Sequence, residues 1–415
     1  MARSNPARPT LLRALNDRSV LELLISSGPC SRADLSRLTG LSKPTIAEVI
    51  GRLEESALVR GAGETAGRPG PNGRLYDVAA NQPVGAAVSV TAGSARCEVV
   101  DIRGRVIGTA ASPRSALPRS AAQATKSLLG SACASGRVLV SAVTDVVIGL
   151  PGSYDPESDR VRYLDRLPEW TIEHLATSIA TALHHHSSVT IDNDVNLALV
   201  AERSAAPTRP VVMSLLWLGA GVGLATDMDG SLYRGVSGGA GEIGYIPLTL
   251  AAPGRSRTTV VEFQDVVGGA AVARLAREHG ISGRRAADAV ARAAAASDPG
   301  SAAFLDELAH RIALGLTIIV AVLDPGVVVL GGDIGRAGGE ALASRTSKAL
   351  RSSGRLSSAV TPSIVTGDPA LAGARDVATS LIVERLLNGA DSVSAMANAT
   401  RSTSPHHQPA REALR

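Results

Sequence analysis

Two stretches of the 415-residue chain carry side chains suited to chemistry on a small polar ligand. In Ile191-Asp192-Asn193-Asp194-Val195-Asn196 an amide and a carboxylate stand side by side. Together they offer the donors and acceptors that a polyol needs. Gly238-Gly239-Ala240-Gly241-Glu242-Ile243-Gly244-Tyr245 holds a carboxylate in a glycine-rich turn, where backbone can approach a ligand closely. A third acid, Glu262, sits between apolar neighbours in Val260-Val261-Glu262-Phe263. Taken singly, each pattern also occurs in plain turns, helix caps and surface acids.

Metal chemistry is poorly supported. Cys30, Cys97 and Cys133 lie far apart, with no Cys-x-x-Cys pair, which fits a reducing compartment and no thiolate zinc site. His184-His185-His186 ends an expected helix, and adjacent helical residues point in different directions, so the three cannot converge on one ion. No metal and no cofactor are expected.

A different chemistry is written near the start. Ser42, Lys43, Thr45, Ala47, Glu48 and Arg52 fall on the helix face opposite Ile46, Val49, Ile50 and Leu53. Short polar and basic groups at a helix N-terminus are what a major-groove reader needs, with donors for phosphate oxygens. An isolated helix of this kind would read as an ordinary solvated face; its neighbours change that. Leu11 to Ile25 repeat at helical spacing and stop at Ser26-Ser27-Gly28-Pro29. Ser31 and Asp34 form a Ser-x-x-Asp capping signature for a second short helix, Thr39-Gly40-Leu41 turns the chain, and Pro44 suits the first turn of a third. Ala57–Arg60 and Arg74–Val78 read as strands around a Gly/Pro-rich tip containing Gly67-Arg68-Pro69, the form of a β-wing. A winged helix-turn-helix over residues 10–80 follows, with Arg68 placed to reach a phosphate or a minor groove, or simply solvent.

The elements that must position the ligand-type residues come next. From Pro83 strands and helices alternate: a β-meander over Gly85–Gly108, a helix at Ala121–Ala132, an apolar strand at Val143–Ile148, a helix at Ile172–Leu183, a strand at Val189–Ile191 and a helix at Val195–Arg203. Asn193 and Asp194 thus fall just past the carboxyl end of a strand, where α/β folds present ligand-binding groups. A second unit repeats the logic with Val211–Leu218, the loop Gly219-Ala220-Gly221-Val222-Gly223, Leu224–Asp227, helices over Gly268–Leu323 and a strand at Val327–Leu330. Two tandem α/β units imply two lobes with a cleft between them. The expected extents are 84–204 plus 366–388 for the first lobe, 205–365 for the second, and a disordered tail over 390–415.

Composition sets the outer limits. Hydrophobic residues at 45% support real cores, and 2% aromatics argue against a single-strand nucleic-acid binder built on stacking. The net charge is +4, of which residues 1–82 supply +3 (11 basic, 8 acidic). The longest apolar run, Ile312–Leu323, is about half of the ~20 residues that span a bilayer, and no signal-type segment opens the chain. A soluble, cytoplasmic protein with no membrane partner is expected.

In order and spacing these motifs resemble the ROK group (repressors, open reading frames and sugar kinases) over about residues 12–388. The carriers are Ser31-Arg32-Ala33-Asp34-Leu35, Gly40-Leu41-Ser42, Gly67-Arg68-Pro69, Ile148-Gly149-Leu150-Pro151-Gly152 with Asp155-Pro156, Leu167-Pro168-Glu169-Trp170, Asp192-Asn193-Asp194-Val195-Asn196, Gly219–Gly223, Gly241-Glu242-Ile243-Gly244 and Gly331-Gly332. The resemblance implies a winged helix followed by a two-lobed, actin-like and ribonuclease-H-like sugar-kinase fold. It also implies that Asn193, Asp194 and Glu242 bind sugar hydroxyls, and in kinase members the aspartate at the Asp194 position is the general base.

The chain departs from the family twice. Kinase members carry Asp-x-Gly-Gly-Thr at the first hairpin of the α/β region; here Val88-Ser89-Val90-Thr91-Ala92-Gly93 has serine for the aspartate and Thr91 and Ala92 for the glycines. Phosphoryl transfer depends on metal and backbone electrostatics aimed at phosphate, so no kinase activity is expected. Many members also follow the Gly-Glu-Ile-Gly turn with a zinc-binding histidine and cysteines; here Tyr245 takes the histidine position and no cysteine follows Cys133. Glu262 stands for the terminal glutamate of that segment, and Tyr245 could replace the imidazole with its phenol. The reading that results is a regulator, with double-stranded operator DNA, a sugar or sugar-phosphate effector and a homodimer or dimer of dimers as partners. A sugar kinase with an accessory DNA-binding head, and a regulator whose pocket has decayed, are the alternatives.

Overall fold

The computed structural model describes residues 7–64, 73–80, 82–164, 167–184, 187–251, 258–352 and 356–402. The wing tip with Arg68, and His185 and His186, lie outside the described residues.

The head is built from α1 (Ala7–Ser27), β1 (Cys30–Ser31), α2 (Arg32–Thr39), α3 (Lys43–Glu55), β2 (Val59–Glu64) and β3 (Arg74–Val78), the strands forming an antiparallel sheet in the order β1-β3-β2. Ser31 accepts a hydrogen bond from the Asp34 N–H at the start of α2, and Gly40 ends that helix in the left-handed region at φ 73°. Ser42 accepts the Thr45 N–H at the start of α3. These caps satisfy helix-end groups that would otherwise be orphaned. Val20, Leu21, Leu24, Leu35, Ile46, Val49, Ile50 and Leu53 interlock beneath the strands.

The first lobe follows: β4 (Val84–Val90), β5 (Ser94–Val100), β6 (Val106–Pro113), α4 (Ala121–Gly136), β7 (Val143–Leu150), β8 (Ser153–Asp155), β9 (Arg160–Arg162), α5 (Leu175–Ala182), β10 (Ser188–Asn193) and α6 (Asp194–Ala205). Its sheet runs β10-β7-β4-β5-β6, parallel on the β7 and β10 side of β4 and antiparallel on the other. Helix α5 starts three residues later than its sequence pattern suggests. His174 is left-handed (φ 56°) and the Asp159 carboxylate takes the N–H groups of Ala176 and Thr177 at 2.8 and 3.1 Å, so the cap comes from a distant loop.

The second lobe contains β11 (Val212–Leu218), β12 (Val222–Met228), β13 (Ser231–Leu232), β14 (Pro247–Ala251), β15 (Thr258–Glu262), α7 (Gln264–Val267), α8 (Gly269–Glu278), α9 (Ala286–Ala295), α10 (Pro299–Leu323), β16 (Val327–Gly331), α11 (Gly332–Ser352) and β17 (Ala359–Pro362). The sheet order β13-β12-β11-β16-β17 repeats the first lobe's topology, with a hairpin on one side of β11 and parallel partners on the other. The last helix, α12 (Pro369–Ser402), returns to the first lobe and packs Ala370, Leu371, Ala374 and Ala378 against the sheet and Leu197. It continues through Ser402, so residues 390–402 are helical where the sequence pattern reads as a disordered tail. The segment is mostly alanine and small polar residues, with Val393 and Met396, and it propagates a helix whose earlier turns are packed on the first lobe.

Candidate functional site

Asn193 ends β10 and caps α6, and Asp194 is the helix's first residue. A cavity of about 290 Å³ opens here between the lobes, near the small end of ligand pockets. Asn193, Asp194, Glu242 and Tyr245 line it together with Gly152, Tyr163, Trp217, the Ala220–Leu224 loop and Gln264. Residues some fifty apart in sequence are thus brought to one chamber.

The side chains are not equally available. The Asn193 amide oxygen accepts the N–H groups of Val195 and Asn196 at 2.7 and 3.3 Å, and its NH2 donates to the Gly152 carbonyl at 3.0 Å. Its amide oxygen is therefore a helix cap, and one N–H is left for a ligand. Two carboxylates two residues apart have opposite fates. Asp192 is clasped across the cleft by Arg234, whose Nε and Nη2 donate at 3.0 and 2.6 Å, and it also accepts from the Asn196 amide at 2.8 Å. Asp194 faces the cavity, where burial pushes its carboxyl up to about 7, aided by the nearby charges of Asp368 and Glu242 and opposed by N–H groups at the helix start. Burial raises the Glu242 carboxyl as well.

Glu242 owes its position to glycine. Gly241 sits at φ 95°, and a Cβ there would lie 1.8 Å from the Leu224 carbonyl oxygen. Its own carbonyl accepts the Leu224 N–H at 2.9 Å, pinning the turn to β12. Tyr245 and Tyr163, one from each lobe, bring their rings to a centroid distance of 5.6 Å at the cavity wall.

Glu262 needs correction. It does not line the cavity; its Oε2 instead accepts the Gln264 amide at 2.6 Å, and Gln264 is the residue that reaches the chamber. The end of β15 turns directly into α7, which swings the residue two positions on toward the ligand side. Sequence spacing gave no signal for Gln264, Tyr163 or Trp217.

In the head, Ser42, Lys43 and Glu48 are exposed on α3, while Thr45 and Ala47 are half-buried. The Ser42 and Thr45 hydroxyls also share a hydrogen bond of 2.8 Å. Arg52 is the second correction. Its guanidinium forks onto the buried Asp17 of α1, Nε to Oδ2 at 3.1 Å and Nη2 to Oδ1 at 2.5 Å, so it braces two helices of the head rather than standing free for DNA.

Neither a zinc loop nor a phosphate grip fits these residues. Cys97 and Cys133 are buried together in the first lobe's core and Cys30 in the head, Tyr245 holds the histidine position, and among the described residues no three His, Cys, Asp or Glu converge. Ser89, where a magnesium-holding acid would stand, is buried. In the turn beyond it the Thr91 N–H donates to the Ser94 carbonyl at 2.8 Å and the Ser94 N–H to the Thr91 hydroxyl at 3.1 Å, so these two donors close the hairpin.

Comparison with known proteins agrees with this architecture. The ROK family model matches residues 88–380 and a winged helix-turn-helix DNA-binding model matches residues 13–60. The chain belongs to the ROK family. The Bacillus subtilis xylose repressor is 24% identical over 255 residues, 60% of this chain and 64% of that protein. A Halalkalibacterium halodurans glucokinase is 31% identical over 170 residues, 36% of this chain and 50% of that protein. The chain thus spans about half to two thirds of the length of these curated relatives. Among solved structures, a ROK family transcriptional regulator homologous to the E. coli MLC protein shares the fold over 93% of this chain and 98% of its own, with TM-score 0.64 and 18% identity. The ROK glucokinase from Streptomyces griseus, in complex with glucose and AMPPNP, covers 72% of this chain with TM-score 0.56 and 22% identity. These define a winged helix followed by the actin-like ROK fold. Among the described residues no helix is long and apolar enough to cross a membrane.

Proposed function

We propose that this chain is a cytoplasmic DNA-binding transcriptional repressor of carbohydrate-related genes, released or engaged by a sugar or sugar phosphate held between its lobes. The observation that carries the reading is the pairing of two carboxyls, Asp194 and Glu242, in one inter-lobe cavity with an exposed, correctly capped α3 in the head. Carboxylates accept hydrogen bonds from hydroxyls, and the Gln264 amide and the free Asn193 N–H supply the complementary donors. Operator DNA is the partner of α3 through Ser42, Lys43, Thr45 and Ala47, with Arg68 from the wing. Two-fold pairing of chains, as a dimer or dimer of dimers, would set half-site spacing. An effector acts only as far as it binds two lobe arrangements differently.

The chain performs no phosphoryl transfer in this reading, supported by buried Ser89 and the closed Thr91–Ser94 turn. Kinase activity is the second reading, favoured by the Gly219–Gly223 loop and the glucokinase relative. A coupled ADP-release assay over hexoses, pentoses and amino sugars separates the two. A thermal-shift screen against sugars and sugar phosphates finds the effector, since a ligand of the folded state raises the melting point. Asp194→Ala and Glu242→Ala are expected to abolish that shift and leave duplex affinity unchanged. A wild-type shift in both variants would refute the pocket.

A further inference from the structure

The head is held by more than a chain connection. The hairpin tip between β5 and β6, Asp101-Ile102-Arg103-Gly104-Arg105, projects from the first lobe into it. Ile102 is buried in the cluster that forms the head's core, with Val20, Leu21 and Leu24 of α1, and α12 adds Ile382, Leu386 and Leu387 to the same cluster. Arg103 reaches the end of α1: its Nε donates to the Ile25 carbonyl at 3.1 Å and its Nη2 to the Leu24 carbonyl at 3.0 Å. The same Nη2 pairs with Asp77 on β3, whose carboxylate also takes the Val78 N–H at 2.8 Å.

These contacts answer a need. The last carbonyls of a helix lack intrahelical partners and carry the negative end of its dipole. The Leu24 carbonyl takes the Gly28 N–H at 3.1 Å as well as Arg103, and α1 has no basic residue in its last turn, so the cation at its end comes from another part of the molecule. The arm that delivers it is stiff. One Asp101 carboxylate oxygen accepts the N–H groups of Arg103 and Arg105 at 2.9 and 3.0 Å, the other accepts the Arg105 Nε at 2.7 Å, and Gly104 takes the left-handed φ of 72°.

We propose that this hairpin tip, with Arg103 as the positioning residue, locks the DNA-reading head and the first lobe into one rigid body, so that an effector alters DNA reading by moving the second lobe and not by swinging the head. The signalling half rests on the regulator reading; the rigid body does not. Arg103 touches the carbonyls of α1 and the wing strand at once, a geometry that a planar guanidinium fork provides and an ammonium does not.

The test is a distance distribution between nitroxide labels at Glu48→Cys on α3 and Ser131→Cys on α4, both exposed, in the full chain diluted with unlabelled protein. The native cysteines are buried, which keeps labelling to the introduced sites. The parent is expected to give one narrow peak. Arg103→Ala is expected to broaden it at least twofold with circular dichroism unchanged, and Arg103→Lys to give an intermediate width. Asp77→Asn, which keeps both carbonyl contacts, is expected to broaden it less than Arg103→Ala. A broad parent distribution, or an Arg103→Ala distribution as narrow as the parent's, would overturn the proposal. In parallel, duplexes are selected from a random pool by the parent chain. Failure to select any would count against DNA binding alone, since the distances judge the clasp without DNA.

Discussion

The two lobes carry the same five-stranded sheet, yet their first hairpins are built for different work. In the first lobe, β4 and β5 meet in the turn Thr91–Ser94, where the Thr91 and Ser94 N–H groups bond within the turn, and Ser89 beneath it is buried. In the second, β11 and β12 meet in a glycine loop, and residues Ala220–Leu224, running from that loop into β12, line the cavity. A shared topology therefore does not carry a shared chemistry. The second lobe keeps a backbone that can approach a ligand, whereas the first contributes Asn193 and Asp194 from the edge of its sheet and has the buried Ser89 on its hairpin, with Glu98 of β5 paired to Arg375.

Substituting glycine in both lobes is the most forceful way to break this contrast. Gly241→Ala is expected to cost more than about 4 kcal/mol or to prevent folding of the second lobe, because the new Cβ would overlap the Leu224 carbonyl at φ 95°. Gly93→Ala in the first hairpin meets nothing within 4 Å and is expected to change the unfolding midpoint hardly at all. Equal denaturation curves for the two variants would undo the distinction.

Asp194 sharpens it through pH. Burial raises its carboxyl from the ordinary 3.8 of the unfolded chain to about 7 in the folded one. Between those values the folded chain holds a proton that the unfolded chain has lost, so stability falls as pH rises through the window and levels off above it. Asp194→Asn is expected to exceed the parent by on the order of 2–3 kcal/mol at about pH 8, with sugar affinity lost. The stability difference closes below pH 3.8. A parent and variant with parallel stability-versus-pH curves would remove the raised carboxyl.

The smaller effects lie in the head. Arg52→Ala leaves the buried Asp17 carboxylate without its partner and is expected to lower stability by about 2–3 kcal/mol in denaturant melts. Lys43→Ala, at an exposed position, is expected to leave stability unchanged and weaken duplex binding by about 1 kcal/mol, with a shallower salt dependence in anisotropy titrations. Matching stability losses in both would reverse the roles assigned to these two cations.

Much of this was legible in residue order. Apolar spacing, Ser31 and Ser42 caps and the Gly40 turn mark the head because those devices act within a few residues. Asn193, Asp194 and Glu242 could be proposed from sequence because strand ends and glycine turns present side chains in predictable places, and the three do line one cavity. What pattern could not disclose depends on partners far away in the chain. Arg52 reads as a DNA contact until Asp17, 35 residues earlier, is seen beneath it. Gln264 supplants Glu262 through a turn whose direction is set by packing, and α5 starts late because Asp159 caps it from 17 residues upstream. Helix α12 runs on past the packed Ile382, Leu386 and Leu387, where composition alone signals an end.

The most direct test couples the two functions in one cuvette. Of the two tryptophans, Trp217 lines the cavity and Trp170 is buried in the first lobe, so a change in indole emission reports cavity occupancy while anisotropy of a labelled, selected duplex reports DNA binding. A sugar that perturbs Trp217 emission is expected to shift duplex affinity at least about tenfold, a coupling of 1.4 kcal/mol, and to do neither in Asp194→Ala. A sugar that saturates the emission change and leaves duplex affinity where it was would contradict the link between cavity and head.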